Sequence, residues 1–312
     1  MNALATDEPS MDWKEHLFNW NNGRPFRKAL ILSCGNGFVE RSLFDMGIIL
    51  SAVGIDVNNE LLDRARTQAQ AGSYPFTYFS MDSNKRSTFP AQDFDVVINH
   101  AALHHIAYID FHLRALHDLL QKTGGVIVNY DFIGPHRNQY SDKQWKAMTE
   151  LNDRSNSCFR HPHLRYPHLP TMLRMDPSEA IHSELIVQTL LRYFEPVWFR
   201  YLNGQLAYGL LTHNSNLQTS SCSATSNLSE HISWILKADH EFALSNDTGA
   251  MFMYSILKPR SLKSFPADKL EKWKEEETRR ENAARQNYGI YYAMTRPHLE
   301  QYGDETGHNF RR

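Results

Sequence analysis

The sequence predicts an α/β fold, in which a mostly parallel sheet carries helices on both faces. Three observations predict it. Short apolar segments alternate with amphipathic ones from about residue 27 to 135, a pattern typical of parallel strands joined by right-handed crossovers. A turn containing glycine, from Ser33 to Gly37, directly follows the first apolar segment. Asp56 ends the second apolar segment, at the sheet edge where such folds bind ligands.

The first half of the chain supplies five predicted strands, at 29–32, 51–56, 78–82, 93–99 and 124–131. Each is a short apolar run bounded by turn residues. Amphipathic segments between these strands predict helices at 39–46, 60–70 and 110–121. The aromatic and apolar residues within 11–22 recur at helical spacing, which predicts a short helix lying on or over the ligand cleft.

The second half departs from this alternation. A helix is predicted at 142–151, and then an irregular run, because Pro162, Pro167 and Pro170 lie too close together for a helix or a central strand. Asp176 followed by proline predicts the start of a helix that runs to about residue 192. Strands follow at 194–202 and 250–257, the latter antiparallel, with helical pieces between them at 206–211 and 228–244.

These elements divide the chain into three predicted parts. Residues 1–26 form an N-terminal helical segment over the cleft, and 27–260 form the ligand-binding domain. Insertions in that domain at about 136–175 and 205–248 form a lid over its acceptor side. Residues 261–312 hold a charged helix at 266–286 and a tyrosine-rich tail. The tyrosines at 288, 291 and 292 belong either to a solvated tail or to a docking segment, so a homodimer through the tail or the insertions stays open.

Composition excludes several classes of protein. The 312 residues are 41% hydrophobic and 22% charged, which is ordinary for a soluble globular protein with a large core. A formal net charge of −2 gives no case for nucleic acid or an anionic membrane as the main partner. No apolar run approaches the roughly 20 residues of a membrane span, and the N-terminus lacks the apolar core of a secretory signal. Three widely spaced cysteines, at 34, 158 and 222, predict reduced thiols in the cytoplasm.

The glycine turn indicates the kind of ligand. Glycine lets the chain turn tightly and lets a ligand approach the backbone, and the first N–H groups of the following helix face that ligand. Asp56 lies about twenty residues further on, where an acid accepts hydrogen bonds from ribose hydroxyls. A dinucleotide would need a third glycine where this chain has Glu40, whose carboxylate would repel a pyrophosphate. An adenosine-type cofactor without phosphates, such as S-adenosylmethionine (SAM), fits this loop.

Together these segments resemble the class I SAM-dependent methyltransferases. In that family a glycine loop, a ribose-binding acid, an acid near the adenine and a loop after the fourth strand occur in this order. The string Leu103-His-His-Ile106 is similar to one in the ubiquinone/menaquinone C-methyltransferase-like branch. Further strings are similar to a poorly characterised bacterial subgroup, namely 33–41, 130–135, 177–180 with Ser183, and Phe194 followed by Asn203-Gly204.

The resemblance spans about residues 25–258 and implies a Rossmann-like, seven-stranded methyltransferase sheet with helical and irregular insertions. Two positions depart from the family pattern. The family usually has an acid near the end of the first strand, where this chain has Ile31, and a first glycine where it has Ser33. The loss of the acid removes one polar contact that could orient the amino-acid part of the cofactor.

The strand ends and the resemblance predict three groups of site residues. Those predicted to bind the cofactor are Ser33, Gly35, Gly37, Asp56, Val57, Asp82, Ser83, Asn99 and His100. A general base for a hydroxyl acceptor belongs in the loops after strands four and five, where the candidates are His104, His105, Asp131 and His136. Residues predicted to bind the acceptor are Arg137, which suits an anionic group, and the loop histidines His161 and His163. Adjacent helical residues point about 100° apart, so one of His104 and His105 is expected to face the cleft and the other to pack.

The predicted function is methyl transfer from SAM to a hydroxyl, or less favourably an amine, of a small-molecule or glycan-like acceptor. No metal is predicted, since His161, His163 and His168 have no cysteine partner or ordered spacing. A non-catalytic SAM-binding scaffold stays open, favoured by Ile31 and Ser33. A nucleotide-dependent oxidoreductase is less favoured, because the third glycine is missing and the one Tyr-x-x-x-Lys string, 254–258, falls in a predicted strand.

Overall fold

A computed structural model describes residues 2–84, 89–218, 228–245 and 249–261, with four further positions between 271 and 279. The predicted charged helix at 266–286 therefore falls almost wholly outside the described residues. The predicted tyrosine-rich docking segment lies outside them altogether.

Seven strands form a single sheet. They are β1 Ala29–Leu32, β2 Ala52–Asp56, β3 Phe76–Ser80, β4 Val96–His100, β5 Val126–Phe132, β6 Phe194–Leu202 and β7 Phe252–Pro259. Their order across the sheet is β3-β2-β1-β4-β5-β7-β6. Strands β1 to β5 are parallel, and β7 runs antiparallel to both of its neighbours. The prediction of a Rossmann-like methyltransferase sheet is confirmed.

Helices cover both faces of this sheet. In chain order they are α1 Asn2–Thr6, α2 Trp13–Trp20, α3 Phe38–Asp45, α4 Asn59–Ala71, α5 Ile109–Thr123, α6 Asp142–Arg154, α7 Leu169–Met175, α8 Ile186–Tyr193, α9 Ala207–Leu211, α10 Ser215–Gln218 and α11 Leu228–Ser245. Residues alternate between the faces of a strand, and β1 divides its side chains accordingly. Leu30 and Leu32 pack in one core with α5 and α8, whereas Ala29 and Ile31 pack in the other with α2, α3 and α4.

The insertions form a third cluster at the carboxyl end of β5. Helices α6, α9 and α11 contribute Met148, Leu210 and Ile235 to it, and Phe132 joins it from the end of the strand. Since the carboxyl ends of parallel strands carry the ligand in α/β folds, the insertions lie beside the edge where a ligand is expected.

The segment before α8 differs from the prediction. Asp176 does not begin a helix: its carboxylate accepts hydrogen bonds from both the backbone N–H and the hydroxyl of Ser178, at 3.0 and 2.7 Å, and closes a turn. Asp12 accepts the N–H two residues on in the same way at the start of α2, so this bond is compatible with either a turn or a helix start. Helix α7 instead occupies the end of the run expected to be irregular, and Pro170 lies in its first turn, where a missing N–H is tolerated.

Two further expectations, the position of Asp82 and the state of the cysteines, need correction. Strand β3 ends at Ser80, so Asp82 lies in the loop beyond it and not at the end of the strand. Cys158 is disulfide-bonded, so the expectation of three reduced thiols is wrong for this residue, while Cys34 is a buried free thiol. Among the described helices, none combines the length and the apolarity needed to cross a bilayer.

Candidate functional site

The loop after β1 is held in an unusual backbone conformation. Ser33, Gly35 and Gly37 have φ angles of 43°, 55° and 79°, in the left-handed region that favours glycine. A Cβ atom on Gly37 would lie 2.6 Å from the hydroxyl of Tyr78, so a larger residue does not fit there. A Cβ atom on Gly35 would meet nothing within 4 Å. The loop therefore presents open backbone at Gly35, directly ahead of α3.

Asp56 joins this loop to the end of β2. One carboxylate oxygen accepts the N–H of Gly35 at 2.9 Å, and the other accepts the N–H of Asn58 at 2.8 Å. Each carboxylate oxygen can accept more than one hydrogen bond, so these contacts leave capacity for ribose hydroxyls. Val57 follows with its side chain exposed. The cofactor roles of these residues stay predictions.

The loop after β3 is tied to the loop after β4. Asp82 accepts the N–H of Asn84 at 3.0 Å, and the side-chain oxygen of Asn84 accepts the N–H of Ala107 at 2.7 Å. Asp82 and Ser83 are both partly buried. This connection fixes the side of the cleft on which Asp82 is predicted to meet the adenine.

The two predicted residues at the end of β4 have different environments. The Asn99 side chain is fully buried and donates to Asn129 at 2.6 Å and to Asp131 at 2.7 Å, so it has no surface to offer a ligand. The ring of His100 packs against both Trp13 and Tyr130, with centroids 5.6 and 5.5 Å away, and those two rings also contact each other at 6.1 Å. Burial lowers the pKa of His100, so its ring is an aromatic wall beside the end of the strand.

His104 and Asp131 form a tight buried pair at the ends of β4 and β5. The His104 Nδ1 atom lies 2.6 Å from a carboxylate oxygen of Asp131. Burial opposes ionisation of Asp131, but His104 and the surrounding donors outweigh it and hold the pKa of Asp131 below its usual range. Burial likewise opposes protonation of His104, and Asp131 outweighs it and raises the pKa of the imidazole. Because a carboxylate only accepts hydrogen bonds, we assign the proton to Nδ1, which leaves Nε2 as the free nitrogen.

His105 does not pack away from His104. Both belong to the 3₁₀ turn Leu103–His105, and their ring centroids are 4.1 Å apart. Their Nε2 atoms lie 3.8 and 3.7 Å from the same carboxylate oxygen of Glu179. The two side chains therefore lie on the same side of the turn, and do not diverge as adjacent residues of an α-helix would; which of them faces the cleft stays a prediction. Sequence reasoning missed Glu179, although the string Pro177-Ser-Glu-Ala180 that contains it was one of those behind the family resemblance.

The remaining predicted residues lie in other surroundings. His136 Nδ1 lies 2.6 Å from the carbonyl oxygen of Ile181. Arg137 is fully buried and donates to the carbonyl oxygen of Glu179 at 2.9 Å, so its side chain has no surface for an anionic acceptor. His161 and His163 bond to one another within the loop after α6, where the N–H of His163 donates to His161 Nδ1 at 3.2 Å.

A cavity of about 490 Å³ lies between β6, β7 and the second insertion. Its apolar lining includes Leu211 and Phe252, with Tyr208 beside them. Phe132 stands between this cavity and the histidines, since its ring lies 5.5 Å from Phe252, 6.2 Å from Tyr208 and 6.2 Å from His104 between centroids. A cavity of this size suits a small organic molecule.

The sequence of this region matches a known family model. The model of a methyltransferase domain matches residues 30–128, from β1 into β5. The seven-stranded sheet has the Rossmann-like fold of methyltransferases. The matched segment includes the glycine loop, Asp56 and both histidines of the turn after β4, and it ends before Asp131 and the insertions. The match supports SAM as the cofactor and leaves the acceptor open.

Comparison with curated proteins gives no match. Among solved structures, the chain is similar to the MccD protein, at 16% identity over 79% of this chain and 96% of that one, with a TM-score of 0.45. It is similar to phosphoethanolamine N-methyltransferase 2 of Haemonchus contortus, solved in complex with SAM, at 14% identity over 78% of this chain and 50% of that one, with a TM-score of 0.46. A SAM-dependent methyltransferase from Mesorhizobium loti is 16% identical over 75% of this chain and 91% of that one, with a TM-score of 0.43.

Proposed function

We propose that this chain transfers the methyl group of SAM to a hydroxyl group of a small-molecule acceptor. The observation that carries the proposal is the buried His104–Asp131 pair, which stands at the ends of β4 and β5. The glycine loop and Asp56 stand at the ends of the neighbouring strands β1 and β2. Ligands of open α/β sheets bind where the strand order reverses, here between β1 and β4.

The pair favours a hydroxyl acceptor over an amine. Methyl transfer needs the acceptor atom within a few ångströms of the methyl carbon and in line with the breaking bond. A hydroxyl must also lose its proton, which calls for a base, whereas a neutral amine can react without one. With its proton held on Nδ1 by Asp131, His104 presents Nε2 as that base. Asp131 also raises the pKa of the imidazole against the effect of burial, so the ring binds a proton more readily than an unpaired buried histidine.

The cavity beside Phe132 indicates the kind of acceptor. Its apolar walls suit a molecule with an apolar body, and Asn203, Asp239 and His240 supply polar groups at its edge. Asp239 is already committed, since it accepts the backbone N–H groups of Gly204 and Leu206 at 2.8 and 2.6 Å. A compact hydroxylated molecule fits this lining, and a glycan-like acceptor fits only if it carries an apolar portion.

The first test separates cofactor binding from catalysis. Calorimetry with SAM should show binding to the full chain. Asp56→Asn should weaken it by roughly ten- to a hundredfold, because hydrogen bonds to a charged group contribute about 1.5–3 kcal/mol. Asp63→Asn is the matched control, since Asp63 is an exposed carboxylate on α4, and it should leave SAM binding unchanged. Absence of SAM binding by the unaltered chain would overturn the proposal.

The second test addresses the acceptor. Mass spectrometry of reactions with a panel of hydroxyl and amine compounds should detect methyl groups on oxygen. Methylation of amines alone would refute the acceptor class. SAM binding without any methylated product across the panel would instead support the non-catalytic scaffold.

A further inference from the structure

The geometry points to a binding site for a divalent transition-metal ion formed by His104, His105 and Glu179. Two imidazole nitrogens and one carboxylate oxygen are a ligand set used by zinc and by ferrous iron, and three protein ligands leave a coordination position open. Magnesium prefers oxygen ligands, so the two histidines select against it. The binding site does not depend on the proposed function; only the role of the ion does.

The three ligand atoms lie within 4.8 Å of one another, and the two nitrogen–oxygen distances are close to the spacing that a metal requires. His104 Nε2 and His105 Nε2 lie 3.8 and 3.7 Å from the same oxygen, Oε2 of Glu179. Ligands about 2.0–2.2 Å from a tetrahedral ion stand roughly 3.3–3.6 Å from one another. A movement of a few tenths of an ångström by the partly exposed Glu179 side chain would bring its oxygen to that spacing.

Each ligand has its other polar atom held by a neighbour. His104 Nδ1 lies 2.6 Å from Asp131. His105 Nδ1 lies 3.1 Å from the hydroxyl of Ser178, and Glu179 Oε1 accepts from the Asn138 amide at 3.4 Å. Histidines that bind metals almost always donate their other N–H to a carboxylate, a carbonyl or a similar acceptor, which fixes the ring and its tautomer. His104 and His105 each have such a neighbour at Nδ1, and the second carboxylate oxygen of Glu179 is held by Asn138.

Hydrogen-bond direction fixes the tautomer of His105 as well. The Ser178 hydroxyl donates its hydrogen to Asp176 at 2.7 Å, so its oxygen is left to accept from His105 Nδ1. The proton of His105 is therefore on Nδ1, which leaves a lone pair on its Nε2, 3.7 Å from Glu179 Oε2. Three atoms with lone pairs then lie within 4.8 Å of one another, and both nitrogen–oxygen separations are too long for a hydrogen bond. A cation between them would stabilise the arrangement.

A second group of similar residues is a weaker candidate. His136, His182 and Glu184 also lie within mutual reach. The His136 nitrogen nearest to Glu184 is Nδ1, 4.0 Å away, and this atom already faces the Ile181 carbonyl at 2.6 Å. Glu184 is therefore a suitable control position, because the same substitution there should not remove a metal.

The ion would change how the site activates an acceptor. A metal-bound hydroxyl group loses its proton more readily, and the open coordination position provides a place for that oxygen. With the ion bound, the Nε2 lone pair of His104 serves as a ligand, so the proton of the acceptor leaves to solvent or to another base. Without the ion, His104 itself is the base.

The test uses the full chain, stripped with a chelator and checked by metal analysis. Titration calorimetry with Zn²⁺, Mn²⁺ and Mg²⁺ should show one tight Zn²⁺ site per chain and much weaker Mg²⁺ binding. Glu179→Gln and His105→Gln should each weaken Zn²⁺ binding at least tenfold, while Glu184→Gln should leave it unchanged. Co²⁺ loading should give the visible absorption of a four- or five-coordinate ion, lost in Glu179→Gln.

Separate measurements show whether each variant is folded and whether the metal has a role in the reaction. SAM binding by each variant, measured by calorimetry, shows that the variant is folded. No stoichiometric Zn²⁺ binding by the unaltered chain, or Zn²⁺ binding that is unchanged in Glu179→Gln, would overturn the site. If Zn²⁺ binds at this site and no hydroxyl compound is methylated, the metal site stands and the proposed function fails. If methyl transfer continues at full rate in metal-free protein, the ion has no role in the reaction.

Discussion

Replacing Asp131 with asparagine tests the central pair most directly, because this carboxylate is the acceptor for five donors. One oxygen accepts from His104 Nδ1 and the Phe132 N–H, and the other from the Asn99 amide and the N–H groups of Ala102 and Leu103. An asparagine side chain supplies one acceptor oxygen and one donor group in the same space. Some of these donors must then face another donor, whichever way the amide is turned.

The magnitude follows from this count. With the amide nitrogen on the His104 side, the imidazole can shift its proton to Nε2 and accept, but the Phe132 N–H is left without its partner. One buried unsatisfied donor costs about 1–3 kcal/mol, and loss of one partner of a buried charge pair costs about 3–5 kcal/mol. We therefore expect Asp131→Asn to lower the free energy of unfolding by about 3–5 kcal/mol. Urea denaturation followed by circular dichroism measures it.

Asp131→Asn should also lower the rate of methyl transfer, by an effect separate from the loss of stability. The changed tautomer puts a proton on Nε2, so His104 can no longer accept one, and general-base catalysis is worth about 10²–10⁴-fold. The rate of methyl transfer at saturating SAM should drop by that factor, while SAM affinity changes little. Asp63→Asn, at an exposed position, should change stability by less than about 0.5 kcal/mol. An Asp131→Asn protein with stability and rate close to those of this control would refute the reasoning.

The same pair gives stability a defined pH dependence. The pKa of Asp131 is lowered on folding, so its contribution is present above the unfolded carboxyl pKa, near 4, and is lost as pH falls through the folded value. The pKa of His104 is raised on folding, so its contribution is present below the unfolded imidazole pKa, near 6.5, and is lost as pH rises through the folded value. The pair should stabilise the fold most between about pH 4 and 6.5. Melting temperatures measured across this range should differ in pH profile between the unaltered chain and Asp131→Asn.

Three other substitutions have clear expected outcomes. Gly37→Ala should weaken SAM binding at least tenfold in calorimetry, because its Cβ atom would lie 2.6 Å from the Tyr78 hydroxyl. Gly124 is the control, since its φ of 72° is similar and a Cβ atom there would meet nothing within 4 Å. Gly124→Ala should cost only about 1–2 kcal/mol of stability. Equal effects of the two on SAM affinity would contradict this. Arg192→Met should destabilise the fold by about 3–5 kcal/mol in thermal unfolding. The Arg192 guanidinium lies 2.8 Å from the buried carboxylate of Asp110, and the substitution removes this charge partner. A loss of stability below about 1 kcal/mol would contradict the prediction. Phe252→Ala should raise the KM for the acceptor with SAM affinity unchanged, since this ring lines the cavity, and an unchanged KM would place the acceptor elsewhere.

Local chemistry was enough to predict the parts of the fold that depend on nearby residues. The bounds of β1 and β6 match the prediction, because β1 is an apolar run that ends at the glycine turn and β6 is rich in aromatic residues. The glycine loop was predicted from composition and spacing, and its positive φ angles follow from the same residues. The connection before α8 could not be predicted in this way, since an aspartate that accepts the N–H two residues on is found both at helix starts and in turns.

The site itself shows a sharper limit. His104 and His105 were predicted from their positions after β4, and Asp131 from its position at the end of β5; the structure brings His104 and Asp131 together. Glu179 was not predicted, because nothing in its neighbourhood marks it as close to residues some seventy-five positions earlier. Its place depends on how an irregular segment crosses the sheet edge, and no periodic pattern encodes that path.

Buried backbone contacts explain how this irregular segment is held in place. Ile181 donates its N–H to the carbonyl oxygen of His104 at 3.1 Å, and Arg137 donates its own to Ala180 at 2.8 Å. The Arg137 guanidinium adds a bond to the carbonyl oxygen of Glu179 at 2.9 Å. Arg137 adopts a left-handed conformation, with φ at 56°, which is costly for a side chain of this size. Arg137 is therefore better suited to setting the position of the Glu179 carboxylate than to binding an acceptor. The turn after β5 and the turn after β4 together place the Glu179 side chain opposite the two histidines.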